Sequence, residues 1–157
     1  MTGLDYVNSY DFSRVIAHVV RDGASLEEAT KSADQLRAFM ALNVMYFDSP
    51  TCLVAWEGME PAWHAFILDT REYARFCHNA FGRMLHHWPD AYGTDEFRSG
   101  WSKTVELAAK HFGIFLDRDP EARESARGKQ WNMAAACNRP AEPGEGDEWP
   151  LSVRSVA

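Results

Sequence analysis

The sequence predicts an all-α fold, a compact bundle of about five or six helices with an irregular C-terminal tail. Three observations carry that prediction. Apolar residues recur at spacings of three and four from Phe12 to Phe112. Ser25-Leu-Glu-Glu28 has the form of a capping box, and Gly23 and Gly113 stand where helices should close. Between the helical stretches, only Leu53-Val-Ala-Trp56 reads as extended, and it is short.

The elements follow in order. Phe12, Val15, Ile16, Val19 and Val20 form the apolar stripe of a first helix that Gly23 ends. Ser25 and Glu28 open a second helix, with Ala29, Ala33, Leu36, Phe39 and Met40 facing inward and an end near Asn43. The pattern breaks from Tyr46 to Met59, where Asp48-Ser-Pro50 marks a turn. It resumes at Glu60-Pro61, because proline suits the first helical turn. Trp63, Phe66, Ile67 and Thr70 share one face of that helix, and Thr70 to Tyr73 begins the next. Tyr73, Phe76, Ala80, Met84 and His87 continue a helical stripe, interrupted at Gly82 at a cost of about 1 kcal/mol relative to alanine. Phe97, Trp101, Val105, Ala108 and Phe112 mark another helix, and Trp131 to Cys137 reads as one more short one. This gives a single helical domain over residues 1–138, with a tail over 139–157 that is rich in proline and glycine.

Size and composition exclude several classes. A chain of 157 residues with 46% apolar content can bury one core without staples. Six Trp, nine Phe and five Tyr favour an aromatic interior. The formal charge of −7 and the scattered Lys and Arg argue against a nucleic-acid partner. No apolar run reaches the ~18 residues of a membrane span, and the N-terminal residues lack the pattern of a signal peptide. Three cysteines, an odd number, point to reduced thiols and a cytoplasmic protein. No phosphate-binding glycine loop, nucleophile elbow or CxxC pair is present, which removes nucleotide binding and serine hydrolysis.

Chemistry concentrates between Glu60 and Pro89, which hold four of the six histidines. His64 follows Glu60 by one helical turn, so an imidazole and a carboxylate share a face. Ile67 and Leu68 flank His64 and suggest its partial burial. In that pair His64 is a metal ligand or a base oriented by Glu60, or else Glu60 serves the helix dipole and His64 the core. His87 lies on the inward stripe if the helix passes Gly82, with His86 rotated about 100° away. If the helix ends at Gly82, the two exchange roles. Cys77, one turn after Tyr73, is either a small buried hydrophobe or a soft thiolate ligand. Helical phase turns His78 outward, and His18 and His111 are isolated. Tyr73 and Trp63 read first as core aromatics, and the Tyr73 hydroxyl needs a partner.

This block of Glu60, Trp63-His64, Thr70, Tyr73, Cys77, Gly82, His86-His87 and Pro89 resembles the glycine-rich domain-containing protein-like family of plants and bacteria. Trp101 to Thr104 and His111 to Gly113 resemble that family's next helix, so the resemblance spans roughly residues 30 to 115. Glu60 stands where the family pattern has Asp, and the glycine-rich tail is absent. The resemblance implies a site in the central block but no reaction.

The expectation is therefore a cytoplasmic metal-binding protein, a metalloenzyme acting on a small molecule or peptide. Its candidate metal ligands are His64, His87, His86 and Cys77, and its candidate catalytic groups are Glu60 and Tyr73. The metal is Zn, Fe or Cu. The alternative is a non-catalytic helical interaction module whose histidines only organise the core.

Overall fold

Ser25 begins the longest helix in the way that its spacing from Glu28 predicts. Its hydroxyl accepts the Glu28 amide at 3.2 Å, and the Glu28 carboxylate accepts the Ser25 amide at 2.8 Å. In the computed structural model, which describes residues 1–117 and 135–137, six α-helices are present. They are α1 (Gly3–Ser9), α2 (Ser13–Arg21), α3 (Leu26–Met45), α4 (Glu60–Leu68), α5 (Thr70–Phe81) and α6 (Asp95–Phe112). Three short strands accompany them: β1 (Leu53–Val54), β2 (His86–Trp88) and β3 (Ala135–Cys137). The fold class is all-α, as the apolar spacing predicts.

Helix α3 is the axis of the molecule. It packs against α1, α2, α4 and α6, and Ala29, Ala33, Leu36, Phe39, Met40 and Leu42 are all buried along it. Burying side chains of this size stabilises the fold by roughly 1.5–3 kcal/mol for each Leu, Phe or Met. The same core extends through aromatic rings into the space between α1, α2, α4 and α5. There Phe66 and Phe76 meet edge to face at 5.1 Å, and Tyr10 meets Phe76 in the same way at 4.8 Å.

Helix α1 escaped the sequence reading. Thr2 caps it through a second capping box, with its hydroxyl accepting the Asp5 amide at 3.1 Å. The segment is short and buries only Val7, so its apolar signal is weak. In α2, Val15 and Val19 are buried as expected, whereas Val20 faces solvent.

The larger correction concerns residues 82–88. The stripe from Tyr73 to His87 does not continue as a helix. Gly82 adopts φ +76°, a left-handed geometry that ends α5, and its amide bonds to the His78 carbonyl at 2.9 Å. His86, His87 and Trp88 are a strand. They pair antiparallel with β3, His87 opposite Ala136, while β3 pairs on its other edge with β1, Leu53 opposite Ala136. The strand order is β1-β3-β2. The short helix expected over Trp131 to Cys137 is thus a strand at Ala135–Cys137. The rest of that segment and the tail from 139 lie outside the described residues.

Helix α6 holds β1 in place. Thr104 is fully buried; its hydroxyl donates to the Gly100 carbonyl at 2.8 Å and accepts the Val54 amide at 2.9 Å. That contact needs Gly100, because a Cβ there would run into the Cys52 carbonyl oxygen. One sequence expectation fails here. Cys77 is a free thiol, but Cys52 is held in a disulfide. The odd count of cysteines could not reveal a pairing that the fold alone makes close, and the disulfide removes the thiol argument for a reducing compartment. No described helix is long and apolar enough to cross a membrane.

Two outcomes follow. Gly100→Ala should lower stability by about 1–3 kcal/mol despite its gain in helix propensity, since the contact is with backbone that cannot yield. A lower urea midpoint at unchanged slope would establish this. Thiol titration of the unfolded, unreduced protein should find fewer than three free thiols, and recovery of all three would contradict the disulfide.

Candidate metal centre

Helix α4 starts where its sequence dictates. Pro61 sits in its first turn, where a missing amide costs nothing, and the buried Ser32 hydroxyl on α3 accepts the Ala62 amide at 3.2 Å. Glu60 and His64 are therefore presented from a helix end pinned to the central helix. Trp63, next to His64, turns the other way and is fully buried.

His87 arrives from β2. Alternation along the strand sends Leu85 and His87 to one side and His86 to the other. Leu85 is buried, His86 is exposed, and the His87 side chain is 19% exposed. The His87 ring packs on the Trp63 indole with centroids 4.7 Å apart.

Three donor atoms converge. His64 Nε2 lies 2.8 Å from Glu60 Oε2, His87 Nε2 lies 3.9 Å from the same oxygen, and the two Nε2 atoms are 3.1 Å apart. A point equidistant from all three is about 2.0 Å from each, the length of Zn–N and Zn–O bonds. Among the described residues, these are the Asp, Glu, His and Cys groups close enough together to hold a metal ion.

The electrostatics are those of a cluster that could hold a cation. The Glu60 side chain is 18% exposed, and among the described residues neither of its buried carboxylate oxygens has a hydrogen-bond partner of good geometry. The 2.8 Å approach of His64 is thus a charge contact without an in-line N–H. A buried carboxylate is costly without a countercharge, which the adjacent His64 and His87 imidazoles supply when protonated and which a cation could supply in their place. Burial alone would raise the Glu60 carboxyl, yet the neighbouring His64 and His87 imidazoles hold it below its ordinary value. Conversely, contact with Glu60 raises His64 above the usual imidazole range, outweighing its partial burial.

The other residues singled out in the sequence stand elsewhere. His64 is more exposed than its apolar neighbours imply, at 56% of its side chain, because Leu68 points into solvent. Cys77 is buried apart from the three donors, against Tyr73 and the Leu85 amide, and burial pushes its thiol up to about 11. Tyr73 is also buried. Its hydroxyl donates to the Leu85 carbonyl at 2.7 Å and accepts the Trp63 indole N–H at 3.1 Å, and burial raises it well above the ordinary phenol range. His78 is exposed, His18 meets Arg21, and the Tyr46 hydroxyl lies 2.9 Å from His111 Nε2. Sequence reasoning missed Ser32 and Leu85 as supports. The alternation of Leu85 and His87 could have revealed the second.

The class of protein so defined is a small helical domain with a Glu-His-His cluster that could hold a metal. Residues 3–99, more than half of the chain, match the family model described as UCP032817-like, and the chain belongs to that uncharacterised family. This corrects the glycine-rich domain-containing resemblance, whose central pattern falls within the matched segment. Trp63, Tyr73 and Cys77 are packing residues here, so their spacing reports how helices meet a strand and does not specify that family. No curated protein and no solved structure matches the chain significantly.

Diethyl pyrocarbonate should acylate the exposed His64, His78 and His86 well before the partly buried His87. Peptide mass mapping over time would show the order, and early modification of His87 would contradict its placement.

Proposed function

We propose that this protein binds a divalent transition metal through Glu60, His64 and His87, and that the bound metal serves catalysis on a small molecule or peptide. The observation that carries this reading is the convergence of a buried, unsatisfied carboxylate with two imidazole nitrogens around one point at bonding distance. Three protein ligands leave coordination positions free, the arrangement of catalytic rather than structural metal sites. Zn would there lower the pKa of a bound water, and Fe(II) in a two-His, one-carboxylate set would suit oxidative chemistry. Two neutral imidazoles and one carboxylate leave a divalent ion with a net positive charge, which favours an anionic or readily polarised ligand. His86 and Cys77 are left out of the ligand set on grounds of position.

The test is reconstitution of the full chain with Zn, Fe(II) and Cu(II), followed by element analysis. Roughly one ion per chain is expected, with a rise in melting temperature that a chelator reverses. His64→Ala, His87→Ala and Glu60→Gln should each abolish stoichiometric loading while helicity is kept, because the core packs without these side chains. His78→Ala should load normally. If no metal binds and the variants merely melt earlier, the histidines are structural and the domain is an interaction module.

A further inference from the structure

Tyr73 and Cys77 stand apart from the three donor atoms, and the convergence just described makes no use of them. Both are nevertheless buried at the junction of the two halves of the site. Glu60 and His64 come from α4, and His87 comes from β2. Helix α4 touches β2 through the Trp63 indole and the His64 ring, both against His87, and neither contact holds the β2 backbone.

The Tyr73 hydroxyl spans that gap. It accepts the indole N–H of Trp63, on α4 beside His64, at 3.1 Å. It donates to the carbonyl of Leu85, two residues before His87, at 2.7 Å. The Leu85 amide in turn faces the Cys77 thiol, one turn after Tyr73 on α5. Both peptide groups of Leu85 are thereby held by α5. The same indole that meets the hydroxyl also packs on the His87 ring, with centroids 4.7 Å apart. One phenol oxygen thus has contacts leading to the ligands of both elements. Trp63, Tyr73 and Leu85 are all nearly or wholly inaccessible to solvent, so water cannot replace the hydroxyl if it is removed.

We propose that Tyr73 is the positioning residue of this metal centre: its hydroxyl sets the distance between His87 and the α4 ligands. The proposal rests on the metal-binding reading above. Outer contacts that orient ligands in this way are worth 10–100-fold in metal affinity. Tyr73→Phe keeps the ring and its packing and deletes only the oxygen.

Two measurements on the full chain test this. In the metal-free protein, Tyr73→Phe should shift the His87 ring proton resonances, since the ring then moves relative to the Trp63 indole. In the Zn(II)-titrated protein, read by competition with a chromophoric chelator well below the melting temperature, the same variant should bind about 10–100-fold more weakly. Cobalt(II) loaded in place of zinc should show altered visible bands. Leu107→Ala, a core truncation on α6, should lower the melting temperature but leave zinc affinity unchanged. Wild-type affinity in Tyr73→Phe, or unmoved His87 resonances, overturns the positioning role while the metal reading stands. A wild-type protein that binds neither ion overturns both. Equal loss of affinity in Leu107→Ala shows that Tyr73 acts only through stability.

Discussion

The left-handed turn at Gly82 is the constraint from which the rest of the site descends. Had the chain continued in helical geometry, His87 would extend the α5 stripe, and no strand would exist to bring it to α4. A residue with a Cβ pays steric energy at φ +76°, and glycine does not. The reversal also brings Leu85 into the core, where α5 grips its backbone from behind. The geometry of the Glu-His-His cluster is therefore a product of chain reversal as much as of histidine content. It arises at the boundary between two kinds of secondary structure.

That boundary also divides what was legible in the sequence from what was not. Capping boxes and apolar periodicity are local, so Ser25, Glu28, Pro61 and the α3 stripe could be read directly. Glu60 and His64, one turn apart, were legible for the same reason. The helix ends at Gly82, yet His86 and His87 do not exchange roles as helical phase predicts, because strand alternation points His87 inward and His86 to solvent. Periodicity cannot weigh a single glycine against the residues around it. The sheet was illegible because β1 and β2 are too short to show alternation and because they never touch each other, meeting only through β3. The disulfide at Cys52 belongs to the same blind spot, since it depends on tertiary proximity.

The block from Glu60 to His87 becomes physical when the residues are sorted by what they touch. Trp63, Tyr73 and Cys77 build a dry scaffold, and Glu60, His64 and His87 sit at its margin, where only His64 is well exposed. The two sets interleave along the chain because α4 turns one face to the core and one to the cluster, α5 supplies only core residues, and β2 brings His87 back beside α4. A motif of this kind advertises a site while most of its members support it from a distance.

The sheet has a consequence for the order in which the protein is made. Its central strand comes last in sequence, so β1 and β2 leave the ribosome with bare edges and wait for Ala135–Cys137 to fill the gap between them. Every donor of the cluster, and the whole segment that matches the family model, has by then been synthesised. A nascent chain can thus gather its carboxylate and imidazoles before their frame is closed. During that interval the open edges are exposed to pairing with other chains, and the long-range closure that ends it is the slow kind of contact for a folding polypeptide.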